Sequence, residues 1–303
     1  MERKIFTVEE EYGGERLDKY LSIALPLQSR SFYQRLIKEE HVWVNDVFEK
    51  ANYRIESGDV ITLDIPDPVQ VQIRPENIPL DILYEDDDVL IVNKPKNMVV
   101  HPAVGHYTGT LVNAVMYHCK DSLSGINGEI RPGVVHRIDK DTTGSLIICK
   151  NDDAHIKIAE QIKAHTVTRK YVGVVAGTFH DLEGTVTGSI GRHPNDRKKM
   201  TINPKNGKDA VTHYRVLETL NGASYMEFQL ETGRTHQIRV HMASISHPLL
   251  GDPLYGSGKN PYHLEGQALH AKTIGFIHPT TGEYLEVSAP VPQYMEELVR
   301  KLR

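Results

Sequence analysis

The sequence predicts a protein of two domains, each of which combines helices with strands. A first domain is indicated by two short amphipathic helices that are followed by two short strands, all within residues 17–65. A proline-rich stretch with Pro66, Pro68, Pro75 and Pro79 follows. Proline lacks the N–H of a strand ladder, so this stretch is expected to be an extended linker. Beyond it, strand and helix patterns alternate to the end of the chain.

In the first domain, the apolar residues Leu17, Tyr20, Leu21 and Ala24 recur with helical spacing, which predicts a helix over 17–24. A second helix is predicted near 32–39, after a serine that can act as its N-cap. Short strands rich in β-branched and aromatic residues are predicted at 42–45, before an Asn-Asp turn, and at 60–65, after a Ser-Gly-Asp turn. We place this domain at residues 13–74, a proline-rich linker at 75–81 and the second domain at 82–303.

The second domain shows the same mixture of patterns over a longer stretch. Strands are expected at 89–93, 98–100, 145–149, 171–175, 211–217 and 225–230. Helices are expected at 111–119, at 152–165 and after Thr235. No internal repeat or low-complexity segment interrupts this order.

The composition is that of a folded, water-soluble chain. Of its 303 residues, 39% are hydrophobic and 25% are charged, so it can bury a core, and wholesale disorder is excluded. No apolar run reaches the ~18 residues of a membrane helix, and the first residues lack the apolar segment of a signal peptide. Cys119 and Cys149 are too few for a disulfide framework. We therefore expect a cytoplasmic protein with two reduced thiols and no contact with membranes.

Positive and negative charges are segregated along the chain. The net charge of −5 argues against nucleic-acid binding if taken alone. Residues 76–88, however, carry six acidic and no basic side chains, whereas residues 192–208 carry six basic side chains and one acidic one. The second segment is rich in Pro, Asn and Gly, so we expect a mobile loop whose Arg197, Lys198 and Lys199 contact phosphates.

The familiar cofactor and metal motifs are missing. The glycine-rich stretch at 255–259 lacks the spacing of a phosphate loop, and no G-x-G-x-x-G or G-x-S-x-G occurs. His236, His241 and His247 do not have the spacing that brings ligands to one face of a helix or strand. We expect neither a cofactor nor a bound metal.

Two polar stretches are candidates for chemistry. The first, 134–145, is mixed in charge and turn-prone, and it precedes a buried-looking strand, where catalytic side chains often lie. The second, 233–241, places polar and cationic residues around a predicted helix start. From the residues alone, the first stretch is better interpreted as a solvated loop with an Asx-turn, and the second as a capped surface helix.

Taken together, these stretches resemble the RluA/RluD-type family of RNA pseudouridine synthases. The family's H-R-[LI]-D-x-x-[TS]-[ST]-G loop corresponds to HRIDKDTTG at 136–144, and its R-x-H-Q-[IL]-R-x-H segment to RTHQIRVH at 234–241. Further matches are VNKPKNMVVHP at 92–102, a basic-x-Tyr strand at 169–171, GDPLYG at 251–256 and LHAKTIGFIHPTTGEYLEVSAP at 269–290. They occur in the family's order and cover residues 82–290 almost continuously.

The first domain resembles an S4 RNA-binding domain. The similarity lies in RLDKYL at 16–21, SRS at 29–31, VWVN at 42–45, Tyr53-Arg54 and Gly58-Asp59, again in order. An S4 domain before this catalytic domain is the arrangement of the ribosomal large-subunit enzymes of the family. The resemblance makes the basic residues of this unit candidate RNA contacts, namely Arg16, Lys19, Arg30 and Arg35.

The resemblance implies an α+β fold, with a mixed, mainly antiparallel sheet flanked by helices, plus the small S4-like domain. It implies an isomerase that needs no cofactor and converts uridine to pseudouridine in RNA, with large-subunit rRNA as the expected substrate. We expect a monomer. By the same resemblance Asp139 is the catalytic carboxylate, Arg239 its basic partner and Tyr171 the aromatic residue against the base. Arg137 is the candidate for holding the RNA once the base has been flipped out.

Three alternatives stay open at this point. The protein could be a non-catalytic RNA-binding or ribosome-associated protein that keeps the fold, or a synthase that acts on tRNA. A hydrolase that uses Asp139 with histidines and a metal is the third. Intact Asp139, Tyr171 and Arg239 argue against the first, and the S4-like domain argues against the second.

Overall fold

The computed structural model describes residues 2–25, 30–65, 73–102, 107–120, 122–126 and 132–303. The chain divides into two compact units, Met1–Val71 and Gln72–Arg303. Each unit has a hydrophobic core of its own. Among the described residues, every helix is too short or too polar to cross a membrane.

The first unit is a small four-stranded antiparallel sheet with two helices. Its elements are β1 (Glu2–Thr7), α1 (Leu17–Ala24), α2 (Arg30–Lys38), β2 (Val42–Val44), β3 (Val47–Phe48) and β4 (Val60–Ile65). The strand order is β1-β4-β2-β3. α1 buries Leu17, Tyr20 and Leu21 on the face that the sequence periodicity predicted. Strand β1 pairs with β4 along its whole length, so the unit includes residues that lie before the predicted start at residue 13.

The second unit is built on one large sheet, which contains nine strands in the part of the chain that the structure describes. Its strands are β5 (Ile82–Glu85), β6 (Val89–Lys94), β7 (Thr143–Cys149), β8 (Thr168–Ala176), β9 (Glu183–Thr187), β12 (Val211–Leu220), β13 (Ala223–Leu230), β14 (Leu269–Ile277) and β15 (Tyr284–Ser288). The order is β5-β6-β7-β14-β8-β13-β12-β9, with β15 paired to β14. Only β14 and β7 run parallel, and the other pairs are antiparallel. The predicted α+β class with a mixed, mainly antiparallel sheet is confirmed.

Helices cover both faces of this sheet. They are α3 (Leu111–Cys119), α4 (Asp152–Lys163), α5 (Gln237–Ser244) and α6 (Gln293–Leu302). Strand β7 is buried on both faces: Leu146 and Ile148 face the core beneath α3 and α5, whereas Ile147 and Cys149 face α4. Such doubly covered strands appear in the sequence as continuous apolar runs and not as alternating ones.

The residues of the predicted linker belong to the second unit. Residues 73–81 form neither a helix nor a strand, and they hydrogen-bond to other residues of the second unit. The backbone N–H of Glu76 donates to the carbonyl of Asn113 at 2.9 Å, and Asn113 Nδ2 donates to the carbonyl of Arg74 at 2.8 Å. Ile73 is buried in the main core. The remainder of the proline-rich stretch, 66–72, lies outside the described residues.

Two sequence predictions fail for identifiable reasons. Residues 98–100 do not form a strand, because the carbonyls of Val99 and Val100 accept hydrogen bonds from the first two N–H groups of α3. The segment 192–208 is not an independent loop. Arg192 and residues 200–202 belong to a hairpin of β10 (Ile190–Arg192) and β11 (Met200–Ile202), and residues 193–199 connect its two strands. The hairpin packs against Val240 of α5 through Ile190 and Ile202.

Candidate active site

A buried lysine fixes the loop that precedes β7. Lys94 is fully buried at the end of β6, and its Nζ donates to the carbonyls of Pro95, Met98 and Lys140 at 2.8–2.9 Å. Burial lowers the pKa of Lys94 to about 7, an effect that the nearby charges of Asp141 and Asp139 oppose. All three N–H groups of the ammonium donate hydrogen bonds. The bond to the carbonyl of Lys140 fixes the loop at the residue that follows Asp139.

The other end of the same loop is tied to β14. The backbone N–H of Thr142 donates to the carbonyl of Asp139 at 3.1 Å, and Gln267 Nε2 donates to Thr142 Oγ1 at 3.0 Å. Gly144 has φ of +113°, and a Cβ atom there would collide with the carbonyl of Ala271. Glycine is therefore required where β7 and β14 pair in parallel. This pairing, together with the hydrogen bonds of Thr142, holds the end of the loop that carries Asp139.

Asp139 lies in direct contact with Arg239 of α5. Arg239 Nη1 donates to Asp139 Oδ2 at 2.9 Å, while Nε and Nη2 donate to the two carboxylate oxygens of Asp252 at 2.7 and 2.9 Å. Burial opposes the charge of Arg239, but the hydrogen bonds to Asp252 and the charge of Asp139 raise the pKa of its guanidinium. The Asp139 side chain is 18% exposed and that of Asp252 is fully buried. Asp139 is thus the carboxylate that a substrate can reach.

Tyr171 lies on β8 and lines the same cavity as Asp139. Its ring packs in the main core, with 8% of the residue exposed. Burial raises the pKa of the Tyr171 hydroxyl; the charge of Arg169 acts against this, and that of Asp139 adds to it. The hydroxyl therefore keeps its proton at neutral pH and is available as a donor.

A histidine and a second tyrosine lie behind the carboxylate. His236 begins α5 in the left-handed conformation, with φ of 58°, which is uncommon for a non-glycine residue. Its Nδ1 is 2.9 Å from Tyr255 Oη, which in turn accepts the backbone N–H of Met200 at 2.7 Å. Burial lowers the pKa of His236, so the ring is neutral. Tyr255 Oη already accepts the N–H of Met200, so we assign its own proton to the contact with Nδ1. This assignment leaves the ring proton on Nε2, which lies 3.9 Å from Asp139 Oδ1.

An open cavity of about 590 Å³ leads to this site, and a smaller one of about 50 Å³ lies between Asp139, Tyr171 and Arg239. The large volume is in the ~300–1,000 Å³ range of ligand pockets. Its wall carries four lysine and arginine side chains, Arg137, Lys163, Arg169 and Arg234, against one carboxylate, Asp139. The cavity is therefore suited to an anionic substrate.

The candidate RNA contacts are distributed over three places. Arg137 is exposed at the cavity, next to Asp139. In the first unit all four candidates have acidic partners: Arg16 and Arg30 bind the buried Asp18, Lys19 binds Glu15, and Arg35 lies 4.0 Å from Glu39. Arg197, Lys198 and Lys199 lie between β10 and β11, the first two of them exposed.

The three histidines considered as metal ligands point to different partners. His236 bonds to Tyr255, while His241 Nδ1 is 2.9 Å from Thr212 Oγ1 and His247 Nδ1 is 2.8 Å from the carbonyl of Ala176. They do not converge on one point.

Elsewhere in the described residues, Asp86, Asp88 and His278 lie close enough to share an ion. His278 Nε2 is 2.8 Å from Asp86 Oδ2, and its Nδ1 accepts the N–H groups of Thr280 and Thr281. Hydrogen bonds therefore occupy both ring nitrogens, and this group lies apart from the residues that line the cavity.

Comparisons with known proteins agree with this fold. The RNA pseudouridylate synthase family matches residues 88–244, and the S4 domain family matches residues 15–61. The chain belongs to the RNA pseudouridylate synthase family and has the activity of that family, isomerisation of uridine to pseudouridine in RNA.

Relatives with similar sequences cover nearly the whole chain. An uncharacterized RNA pseudouridine synthase of Bacillus subtilis is 52% identical over 98% of this chain and 97% of its own length. The ribosomal large subunit pseudouridine synthase D of Zymomonas mobilis is 45% identical over 98% of this chain and 96% of its own. The solved structure of human RNA pseudouridylate synthase domain containing 1 gives a TM-score of 0.58 at 26% identity, covering 78% of this chain and 98% of that one.

Several residues of the site had no role assigned from the sequence. Asp252 and Tyr255 lie within GDPLYG, His236 within RTHQIRVH and Lys94 within VNKPKNMVVHP. Each motif was recognised in the sequence, but the roles of these four side chains were not. Arg169 was noted only as the basic residue before Tyr171. Lys94 and Tyr255 are 161 positions apart in the sequence, and the sheet brings their motifs together.

Proposed function

We propose that the substrate is large-subunit ribosomal RNA, and that Asp139 is the catalytic carboxylate. The observation on which this rests is the 2.9 Å contact between Asp139 and Arg239 beside Tyr171, in a cavity lined with cationic side chains. The S4 match and the name of the Zymomonas mobilis relative support rRNA as the substrate class. An rRNA substrate also fits the cytoplasmic location expected from the sequence, and the monomeric state stays a prediction.

The isomerisation breaks the bond between N1 of uracil and C1′ of ribose, turns the base and forms a bond between C5 and C1′. C5 loses a proton and N1 gains one, so the overall change is an isomerisation. No electron or phosphoryl group is transferred, and the reaction itself calls for no cofactor. A carboxylate can attack C1′, attack C6 or remove a sugar proton, and each route needs Asp139 in its charged form. The guanidinium of Arg239 stabilises that charge in a largely dehydrated position.

Tyr171 and Arg137 have roles at the base in this proposal. The target atoms are inaccessible in a stacked helix, so the uridine must leave the stack to reach the cavity. The Tyr171 ring then lies against the base, and its protonated hydroxyl assists transfer of the C5 proton. Arg137, exposed at the mouth of the cavity, occupies the space that the base leaves or holds the backbone there.

The experiment is tritium release from RNA that carries tritium at C5 of uridine. We expect wild-type protein to release tritium from a large-subunit rRNA transcript, and Asp139→Asn to release none while still binding the RNA. The matched control is Asp141→Asn, which removes a carboxylate from the same loop and should keep at least about a tenth of the activity. Asp139→Asn turnover close to wild type would reject the mechanism.

The same assay separates the substrate classes. Release from tRNA transcripts, and not from rRNA, would move the substrate to tRNA and leave the catalytic assignment intact. Release from neither would leave a non-catalytic role in binding RNA. Mapping pseudouridines in RNA from cells with and without the gene then identifies the uridine.

A further inference from the structure

One buried cation in the cavity wall has no charged partner among the described residues. Arg169 is only 6% exposed, and it points to the same face of β8 as Tyr171, two residues further on. Its Nη2 donates to the carbonyl of Glu231 at 3.1 Å, and its Nε is buried with no hydrogen-bond partner. Buried arginines are almost always paired with acids. Arg169 is therefore in an environment that favours an anion.

The surroundings of Arg169 add positive charge instead of neutralising it. Burial lowers the pKa of Arg169; the nearby Tyr171 hydroxyl acts against this, and the charge of Arg234 lowers the pKa further. Lys163 and His165, at the end of α4 and just beyond, line the same cavity. The one carboxylate of the wall, Asp139, is already bonded to Arg239.

The backbone next to Arg169 is shaped for the guanidinium. A Cβ atom on Gly233 would lie 2.5 Å from Arg169 Nη1, so glycine is needed for the arginine to reach this position. Arg234, the next residue, is itself fixed, because its Nε donates to the carbonyl of Asp209 at 2.9 Å. Two guanidinium groups are thus held in place at one part of the cavity wall before any ligand binds.

We propose that Arg169 and Arg234 form a phosphate subsite, which binds the phosphodiester next to the target uridine. A guanidinium matches the geometry of phosphate oxygens and loses little on leaving water. The subsite lies beside Tyr171 and Asp139, so the phosphate it holds belongs to the nucleotide that reacts or to its neighbour. The identity of the anion rests on the proposed RNA substrate, whereas the presence of an anion site does not.

The first test uses inorganic phosphate and the full-length protein. Phosphate, titrated against chloride at equal ionic strength, should raise the melting temperature of wild type, because a ligand that binds only the folded state stabilises it. Arg169→Gln should lose this response. The control is Lys170→Gln, which removes one charge from the opposite face of the same strand and should respond as wild type does. An equal response of Arg169→Gln and wild type, or none in wild type, would overturn the subsite.

The melting temperature without phosphate distinguishes binding from a structural role. A buried cation with no acidic partner destabilises the free protein, so Arg169→Gln should melt at or above wild type. A fall of several degrees would mean that Arg169 supports the fold instead.

The second test uses RNA. Arg169→Gln should raise KM for RNA about tenfold or more, change kcat at saturation little, and reduce the salt slope of binding by about one ion. If wild type isomerises RNA but this variant keeps its KM and slope, the subsite is wrong and the proposed function stands. If wild type isomerises no RNA, the proposed function fails, and the phosphate titration still decides the anion site.

Discussion

Arg239 is anchored to Asp252 by two parallel hydrogen bonds, 2.7 Å from Nε to Oδ2 and 2.9 Å from Nη2 to Oδ1. Asp252 also accepts the backbone N–H groups of Leu254 and Tyr255, so the carboxylate is fixed in turn. This leaves Nη1 as the nitrogen that faces Asp139. The guanidinium is therefore oriented by the fully buried Asp252 and directed at the partly exposed Asp139. In the proposed mechanism, the first contact is structural and the second is catalytic.

The first prediction concerns Arg239. Arg239→Ala leaves the fully buried Asp252 without its partner, and an uncompensated buried charge costs about 3–5 kcal/mol of stability. Activity should fall by orders of magnitude, and Arg239→Lys should restore only part of it because lysine lacks the bidentate fork. Urea unfolding and tritium release measure the two effects. The control, Arg215→Ala, breaks an exposed pair with Glu227 and should cost at most about 1 kcal/mol.

A double variant separates stability from catalysis at the same position. Arg239→Met with Asp252→Leu replaces the buried pair by apolar groups, which is often neutral for stability. It should be more stable than Arg239→Ala and equally inactive, because Asp139 still lacks its cation. Recovery of activity together with stability would mean that Arg239 contributes only to folding.

The second prediction concerns the hydroxyl of Tyr171. Tyr171→Phe keeps the ring in the main core, so stability should change by less than about 1 kcal/mol. If the hydroxyl assists the C5 proton, the variant should accumulate a cleaved RNA–protein adduct, detectable by mass spectrometry, without releasing tritium. Tyr225→Phe, on the neighbouring strand β13 and away from the cavity, is the control. Near-normal tritium release by Tyr171→Phe would limit the role of Tyr171 to its ring.

Helical periodicity and motif order predicted much of this structure. The predicted helix over 17–24 is α1, Leu17–Ala24, and three of the four apolar residues that predicted it, Leu17, Tyr20 and Leu21, are buried on one face. Contact between Asp139 and Arg239 was expected from the resemblance, and the two lie 2.9 Å apart. The features that could be predicted are those that depend on the local spacing of apolar residues or on a complete sequence motif.

The missed features depend on long-range pairing. Strand β14 was not predicted, although it joins β7 to β8 at the centre of the sheet, because its run of apolar residues is interrupted by His270, Lys272 and Thr273. The sequence also does not predict that Arg169 donates to a carbonyl and not to an acid, because its partner depends on which strands are adjacent in the sheet. The hairpin of β10 and β11 looked like a loop because its two strands have three residues each.

The third prediction is a pH dependence that arises at His270. This histidine is fully buried on β14, with Nδ1 2.8 Å from Thr143 Oγ1, and burial lowers its pKa to about 4. Between pH 6.5 and 4 the unfolded chain binds a proton that the folded chain does not. Stability therefore falls as the pH falls through this window, by up to about 1.4 kcal/mol per unit for this group.

The comparison with His270→Gln isolates that contribution. Other histidines with lowered pKa, such as His136 with its pKa of about 3, act in the same direction and remain in both proteins. Urea unfolding at several pH values should give a shallower dependence for the variant, by about one proton near pH 5. Identical slopes would mean that His270 is not kept neutral by the fold.

The fourth prediction concerns the contact between Tyr255 and His236. Tyr255→Phe removes the hydrogen bonds to His236 Nδ1 and to the backbone N–H of Met200, so the His236 ring loses its fixed orientation near Asp139. We expect kcat to fall about tenfold with little change in KM. His236→Gln, which keeps a donor, should lose less. The two losses should not add in the double variant, because both act on the same carboxylate. Additive losses would disprove a shared role.

The last prediction concerns where the S4-like unit can be removed. A chain that starts at Gln72 keeps Ile73, which is buried in the main core, and the carbonyl of Arg74, which accepts a hydrogen bond from Asn113. A chain that starts at Glu76 loses both, although no active-site residue is touched. It should be less stable by about 2–4 kcal/mol, from the lost side chain and the unpaired amide.

The two truncated chains should therefore differ in stability, although both keep the active-site residues. The chain from Gln72 should bind structured rRNA weakly yet still turn over a short RNA at high concentration, because the second unit holds Asp139, Tyr171 and Arg239. Ile73→Ala in the full chain should reproduce most of the instability of the chain from Glu76 without weakening RNA binding. Urea unfolding and tritium release on one short RNA make the comparison. If the chain from Gln72 is as stable as expected but inactive on every RNA, the S4-like unit contributes to the active site itself.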